Sequence, residues 1–127
     1  MTIKFVWNGI KVDGKLYKGF YVKSADDNTI TLIAKEYSSL PRIDGLEVKN
    51  ETDWMTDYFD TDHVKIAPNN KYYAEAMKAY IADEIHNEKV RIKSCEKLMA
   101  KTESPRAARM YEELIEQAKE RIERLSA

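Results

Sequence analysis

The spacing of apolar residues in this chain changes once, near Asn69, and the change separates two kinds of structure. Before it, apolar and polar residues alternate in twos, as on a strand with one face buried. After it, they recur in threes and fours, as on a helix. The stretch from Phe5 to Val22, FVWNGIKVDGKLYKGFYV, holds Asn8-Gly9 and Asp13-Gly14. Both dipeptides tolerate the positive φ angles that tight hairpins need, and their flanks are β-branched and aromatic. A polar turn, SADDN, leads into TITLIAKEY, which puts Ile30, Leu32 and Ala34 on one face. SSLPRIDG is a loop punctuated by Pro41 and Gly45. LEVKN is a short strand, and HVKIAP, with Val64 and Ile66, is a last one that ends at Pro68.

Asn69 or Asn70 can cap the first helix. Tyr73, Met77, Tyr80, Ile81, Ile85, Ile92, Cys95, Leu98 and Met99 then recur at helical spacing to about Ala100. Lys101-Thr102-Glu103 makes a turn. Ser104 is a good N-cap, and Pro105 follows at the first helical position, where a missing N–H does no harm. Tyr111, Leu114, Ile115, Ala118, Ile122 and Leu125 then alternate three and four apart, with Ala107 ahead of them, in coiled-coil spacing. The expected fold is α+β in one domain, residues 1–127. An N-terminal antiparallel β-meander (1–68) is followed by a long-helix αα-hairpin (69–127). The chain has 127 residues, 43% of them apolar, which is enough for one core. The helical stripe exceeds what one partner helix of about 20 residues covers, so the hairpin is expected to mediate oligomerisation, as a dimer or higher. The alternative is that the sheet covers the excess.

Composition removes several classes of function. Net charge is −1, so no global basic signature points to nucleic acid. No apolar run approaches the ~20 residues of a membrane span, and the opening Met-Thr-Ile-Lys-Phe has no leader character. One cysteine, Cys95, rules out an internal disulfide framework and fits a reducing cytoplasm. It lies mid-stripe on a helix, where a thiol acts as a small hydrophobe. His63 and His86 fall in different elements without a serine or carboxylate pattern around them. The four glycines form no phosphate-cradling loop. Asp53, Asp57, Asp60, Asp62 and His63 do not have the spacing of a calcium loop. No catalytic residue, cofactor or metal is expected, and the chain is not expected to be an enzyme.

Charge is unevenly distributed. Residues 44–62 carry seven acids against Lys49, whereas residues 86–109 carry seven bases against Glu88, Glu96 and Glu103. The acidic stretch 51–62, with Trp54, Tyr58 and Phe59, could contact a protein, or could be a solvated loop. In the basic zone, Arg106 and Arg109 are three apart and share a helix face. They follow a helix start, where free N–H groups and the dipole favour an anion. Arginine also grips phosphate with two prongs, as lysine cannot. Arg91, Lys97 and Lys101 come from the end of the first helix. The competing reading is that these charges are solvated or pair with Glu103, Glu112 and Glu113.

The run VWNGIKVDGKLYKGFYV, followed by TITLIAKEYSSLP, DWMTDYFDTDHVKIAP and two helices, is similar to small proteins of Firmicute phages and mobile elements. More narrowly, it resembles the phage Thoeris anti-defence sponge family. The resemblance implies an N-terminal antiparallel sheet and C-terminal helices that build the oligomer. It also implies binding without degradation of cyclic ADP-ribose isomers, and in some members of cyclic oligonucleotides, inside the host cell. On charge and helix geometry, Arg106 and Arg109 are expected to hold phosphate, Arg91 and Asn87 to line the site, and Tyr80 to stack on a base. The rival expectation is an inhibitor of a host protein, such as a CRISPR nuclease, that mimics nucleic acid through the acidic 51–62 segment.

Overall fold

A computed structural model describes residues 1–35, 39–53 and 59–127. Six strands form one antiparallel sheet: β1 (Ile3–Val6), β2 (Gly9–Val12), β3 (Lys15–Lys23), β4 (Ile30–Ala34), β5 (Glu47–Asp53) and β6 (Phe59–Ile66). Two helices follow, α1 (Tyr73–Lys101) and α2 (Pro105–Ser126). The α+β reading and its order of elements therefore hold. Strand order is β1-β2-β3-β4-β6-β5. The first four strands run as consecutive hairpins. β6 then takes the place beside β4, and β5 is left on the edge.

The two early turns differ. β2 and β3 are joined at Asp13-Gly14, with φ of 51° and 85°, the paired positive angles of a two-residue hairpin. The turn between β1 and β2 sits one residue earlier than Asn8-Gly9 suggests. Val6 pairs with Gly9, so Trp7 and Asn8 are the turn residues. Gly9 opens β2 at φ 151°, where a Cβ would overlap the Tyr17 carbonyl oxygen on β3. The glycine is needed for close strand approach rather than for the turn.

The chain divides into two compact units, Met1–Asp83 and Glu84–Ala127. The change of secondary structure near residue 69 is thus not where the packing divides; that boundary falls inside α1. In the first unit, Ile10, Ile30, Leu32, Val64 and Ile66 are fully buried on one face of the sheet, together with Ile43. Ala76 and Ala79 of α1 join this core, with Tyr73, Met77 and Tyr80 packed at its margin. The first third of the helical apolar stripe is therefore satisfied within the sheet unit.

Two carboxylates of α1 bind strand backbone in the same unit. Glu75 Oε1 accepts from the Phe5 N–H at 3.3 Å, and Asp83 Oδ2 accepts from the Tyr21 N–H at 3.3 Å. They are eight residues apart, so they share a helix face. Tyr21 is 3% exposed, and its hydroxyl donates to the Gly9 carbonyl at 2.5 Å. Burial, reinforced by the charges of Asp83 and Glu75, pushes its phenol far above the ordinary range.

Tyr21→Phe should cost about 1–3 kcal/mol, because the buried Gly9 carbonyl loses its donor. The same residue sets a pH dependence. The folded phenol stays protonated where an unfolded one ionises, near pH 10. Its contribution is therefore complete below that pH and is lost as pH rises beyond it. Urea titrations between pH 8 and pH 11 should show the gap between wild type and Tyr21→Phe narrowing only above about pH 10.

Candidate functional site

The start of α2 is built as its sequence requires. Ser104 is extended, at φ −86° and ψ 118°, and its Oγ accepts from the Ala107 N–H at 3.3 Å. Pro105 has no N–H to offer. Of the first three helical positions, only Arg106 keeps an N–H for a ligand. An anion bound here would depend on guanidinium groups more than on the helix end.

Those groups are well placed. Arg106 and Arg109 are exposed, and with Ser104, Ala107, Met110 and Glu113 they line an open concavity of about 510 Å³. Ligand sites run from roughly 300 to 1,000 Å³, so a small organic ion fits the size. Ala107 and Met110 supply apolar surface, the arginines supply positive charge, and Glu113 closes the end with negative charge. Met110 is 53% exposed, as several other large apolar side chains of the chain are, so it adds apolar area to the concavity without by itself marking a binding surface.

The other expected residues do not line this concavity. Arg91 is exposed on α1 and leans toward Glu88, with Nη1 3.9 Å from Oε2. Asn87 is also exposed on α1. Tyr80 is half-buried at the margin of the sheet unit's core, whereas the other four belong to Glu84–Ala127.

A charged cluster that the sequence reading missed sits between the helices of the second unit. Glu88 is 7% exposed. Arg121 reaches it through Nε at 3.4 Å from Oε1, and binds Glu84 through Nη2 at 2.7 Å from Oε2. The signal was available. The apolar stripe of α1 skips from Ile85 to Ile92, and Glu88 occupies the vacant inward position. Arg121 likewise stands in the stripe of α2, three residues after Ala118.

In the acidic segment, Asp62 is occupied by structure. Its carboxylate accepts from the Leu40 N–H and from the Asn50 amide, both at 3.0 Å. His63 is 8% exposed, with Nε2 3.0 Å from the Thr61 hydroxyl and Nδ1 3.6 Å from Glu51 Oε2. Asp60 is exposed. Trp54, Asp57 and Tyr58 lie outside the described residues, as do the side chains of Asp53 and Phe59. Among the described residues, no three His, Cys, Asp or Glu side chains are grouped to hold a metal. Cys95 is buried.

With this geometry established, comparison adds no precedent. No family model, curated protein or solved structure matches this chain. None of the described helices is long and apolar enough to cross a membrane.

Proposed function

We propose that this chain is a phage anti-defence protein of the host cytoplasm. It binds and sequesters cyclic nucleotide immune signals, cyclic ADP-ribose isomers and cyclic oligonucleotides, without degrading them. One observation carries the reading: Arg106 and Arg109 flank an open concavity that also has apolar surface from Ala107 and Met110. Paired guanidiniums suit phosphate, and the thioether suits the face of a base. Holding a ligand without turnover requires neither nucleophile nor base. Arg91, Asn87 and Tyr80 line no part of this concavity in one chain, so any role for them in the site would come through self-association by the helices.

Isothermal titration with cyclic ADP-ribose isomers and with cyclic di- and trinucleotides tests the proposal. Saturable heat with at least one of them is expected, and the ligand should be recovered unaltered after heat denaturation. Absence of heat with every one, at tens of micromolar protein, rejects the reading. The alternative, contact with a host protein through the acidic 51–62 segment, is weakened by the internal use of Asp62. Neutralising Asp53, Asp57 and Asp60 should leave nucleotide binding unchanged.

A further inference from the structure

The face of the sheet that points away from the core is charged unevenly. Residues 3–23 hold five lysines and one acid, Asp13, a turn residue whose Oδ1 accepts from the Thr2 N–H at 2.8 Å. Strand residues alternate between the two faces. Lys4 precedes the buried Phe5, Lys11 follows Ile10, and Lys35 follows Ala34, so all three point away from the core. Lys18 does the same, because Gly19 beside it pairs with Ala34. All four lysines are exposed. Among the described residues, none of them takes part in an ion pair.

Register sets these charges beside one another. Lys4 and Lys11 are direct cross-strand partners on β1 and β2. The Lys35 N–H donates to the Lys18 carbonyl at 3.0 Å, which carries the β3–β4 pairing one residue further and sets those two lysines opposite each other. Like charges directly opposite destabilise a sheet, and this face has two such pairs. The same face of β5 and β6 is arranged otherwise: Lys49 lies 3.7 Å from Glu47, and Lys65 lies 3.7 Å from Glu51. Apolar side chains lie among the four lysines that have no carboxylate. Leu16 is the β3 partner of Lys11, and Phe20 follows Lys18 two residues on. Both are half-buried. Trp7, 43% exposed, stands in the β1–β2 turn.

We infer that this face binds the backbone of a single-stranded nucleic acid, without regard to sequence. The four cations span β1 to β4, about 14 Å at the ordinary strand spacing. That is more than one phosphate can bridge, so the charge suits a polyanion. Lysine is a point charge without the fork of arginine, and it suits phosphate contact rather than the reading of base edges. Phe20 and Trp7 offer rings to stack on, which only unpaired bases can use. A duplex keeps its bases stacked inside. A membrane surface gains little, because Leu16 and Phe20 are half-buried and offer no protruding apolar anchor. The net charge of −1 conceals this face, since acids elsewhere in the chain offset it. The face shares no residue with the Arg106–Arg109 concavity, so it stands whether or not a cyclic nucleotide binds there.

Fluorescence anisotropy of a labelled oligothymidylate of about 12 nucleotides is the test. At about 50 mM salt half-saturation should fall in the micromolar range, and log affinity should fall against log salt with a slope near −3, as about four phosphate contacts require. A duplex of equal length should bind at least about 5-fold more weakly, because it has no free base to stack. Lys11→Glu separates binding from folding. It sets opposite charges across β1 and β2, so stability in urea should hold or rise. Affinity should nevertheless fall at least about 10-fold, and the salt slope should drop by about half, since Lys4 is then engaged as well. Lys18→Gln should weaken binding in the same direction, and Phe20→Leu, which loses the ring, by about 5-fold. Arg109→Glu should bind the oligonucleotide as wild type does, which keeps this site distinct from the cyclic-nucleotide site. No anisotropy change at about 50 µM protein, equal affinity for the duplex, or an affinity unmoved by Lys11→Glu overturns the inference. So does loss of binding in Arg109→Glu, or binding to phosphatidylserine-containing vesicles in place of the oligonucleotide.

Discussion

Replacing Arg109 with glutamate should weaken cyclic nucleotide binding at least about 100-fold while leaving α2 folded. A hydrogen bond to a charged group contributes about 1.5–3 kcal/mol. The exchange removes one such interaction and puts a carboxylate against the phosphate, so the loss should exceed that of simple truncation. Glu113, one turn further along and lining the same concavity, makes the new environment doubly anionic. Fold stability should barely change, because Arg109 is exposed and takes part in no ion pair among the described residues. Arg109→Lys separates charge from shape: it keeps the positive charge but loses the two-pronged grip, and should fall between the two. Titration calorimetry with the tightest-binding nucleotide reads all three. An affinity for Arg109→Glu equal to wild type removes this arginine from the site.

The parts of the fold legible in the sequence are those set by local chemistry. Asp13-Gly14 specified its own turn, because positive φ at two successive residues restricts what can stand there. Ser104-Pro105 specified the start of α2 for a similar reason. The Arg106–Arg109 proximity was legible because three residues on a helix fix a shared face. What escaped depends on tertiary context. Nothing near Gly9 shows that its demand comes from Tyr17, a neighbour on another strand. The placement of β6 beside β4, with β5 outside, is a choice among strands of similar pattern. Glu75 and Asp83 look like ordinary polar positions of a helix until strand N–H groups are found facing them. The sequence gives no sign that Glu88, three residues before Arg91, is buried beside it, since an acid at that spacing equally suits an exposed helix face.

Arg121→Leu should destabilise the helical unit by about 2–3 kcal/mol. Removing one member of a buried ion pair can cost roughly 3–5 kcal/mol, because the remaining charge is left in a poor environment. The Arg121 side chain is 42% exposed, so solvent screens part of the interaction and the lower end applies. The remaining cost is concentrated at Glu88, whose side chain is 9% exposed and whose Oε2 accepts no hydrogen bond among the described residues. Its second cation, Arg91, stands 3.9 Å away and is itself mostly in water, so it replaces little. Glu84 also loses its 2.7 Å partner, but at 21% exposure it can turn toward solvent. An asymmetric rescue is therefore expected. Adding Glu88→Leu to Arg121→Leu should recover most of the loss, since two apolar side chains then continue the stripes of Ile85–Ile92 and Ala118–Ile122. Adding Glu84→Gln instead should recover little. Urea unfolding followed by far-ultraviolet circular dichroism measures both. Equal recovery from the two second substitutions would place the cost at the exposed carboxylate and refute the role given to the buried one.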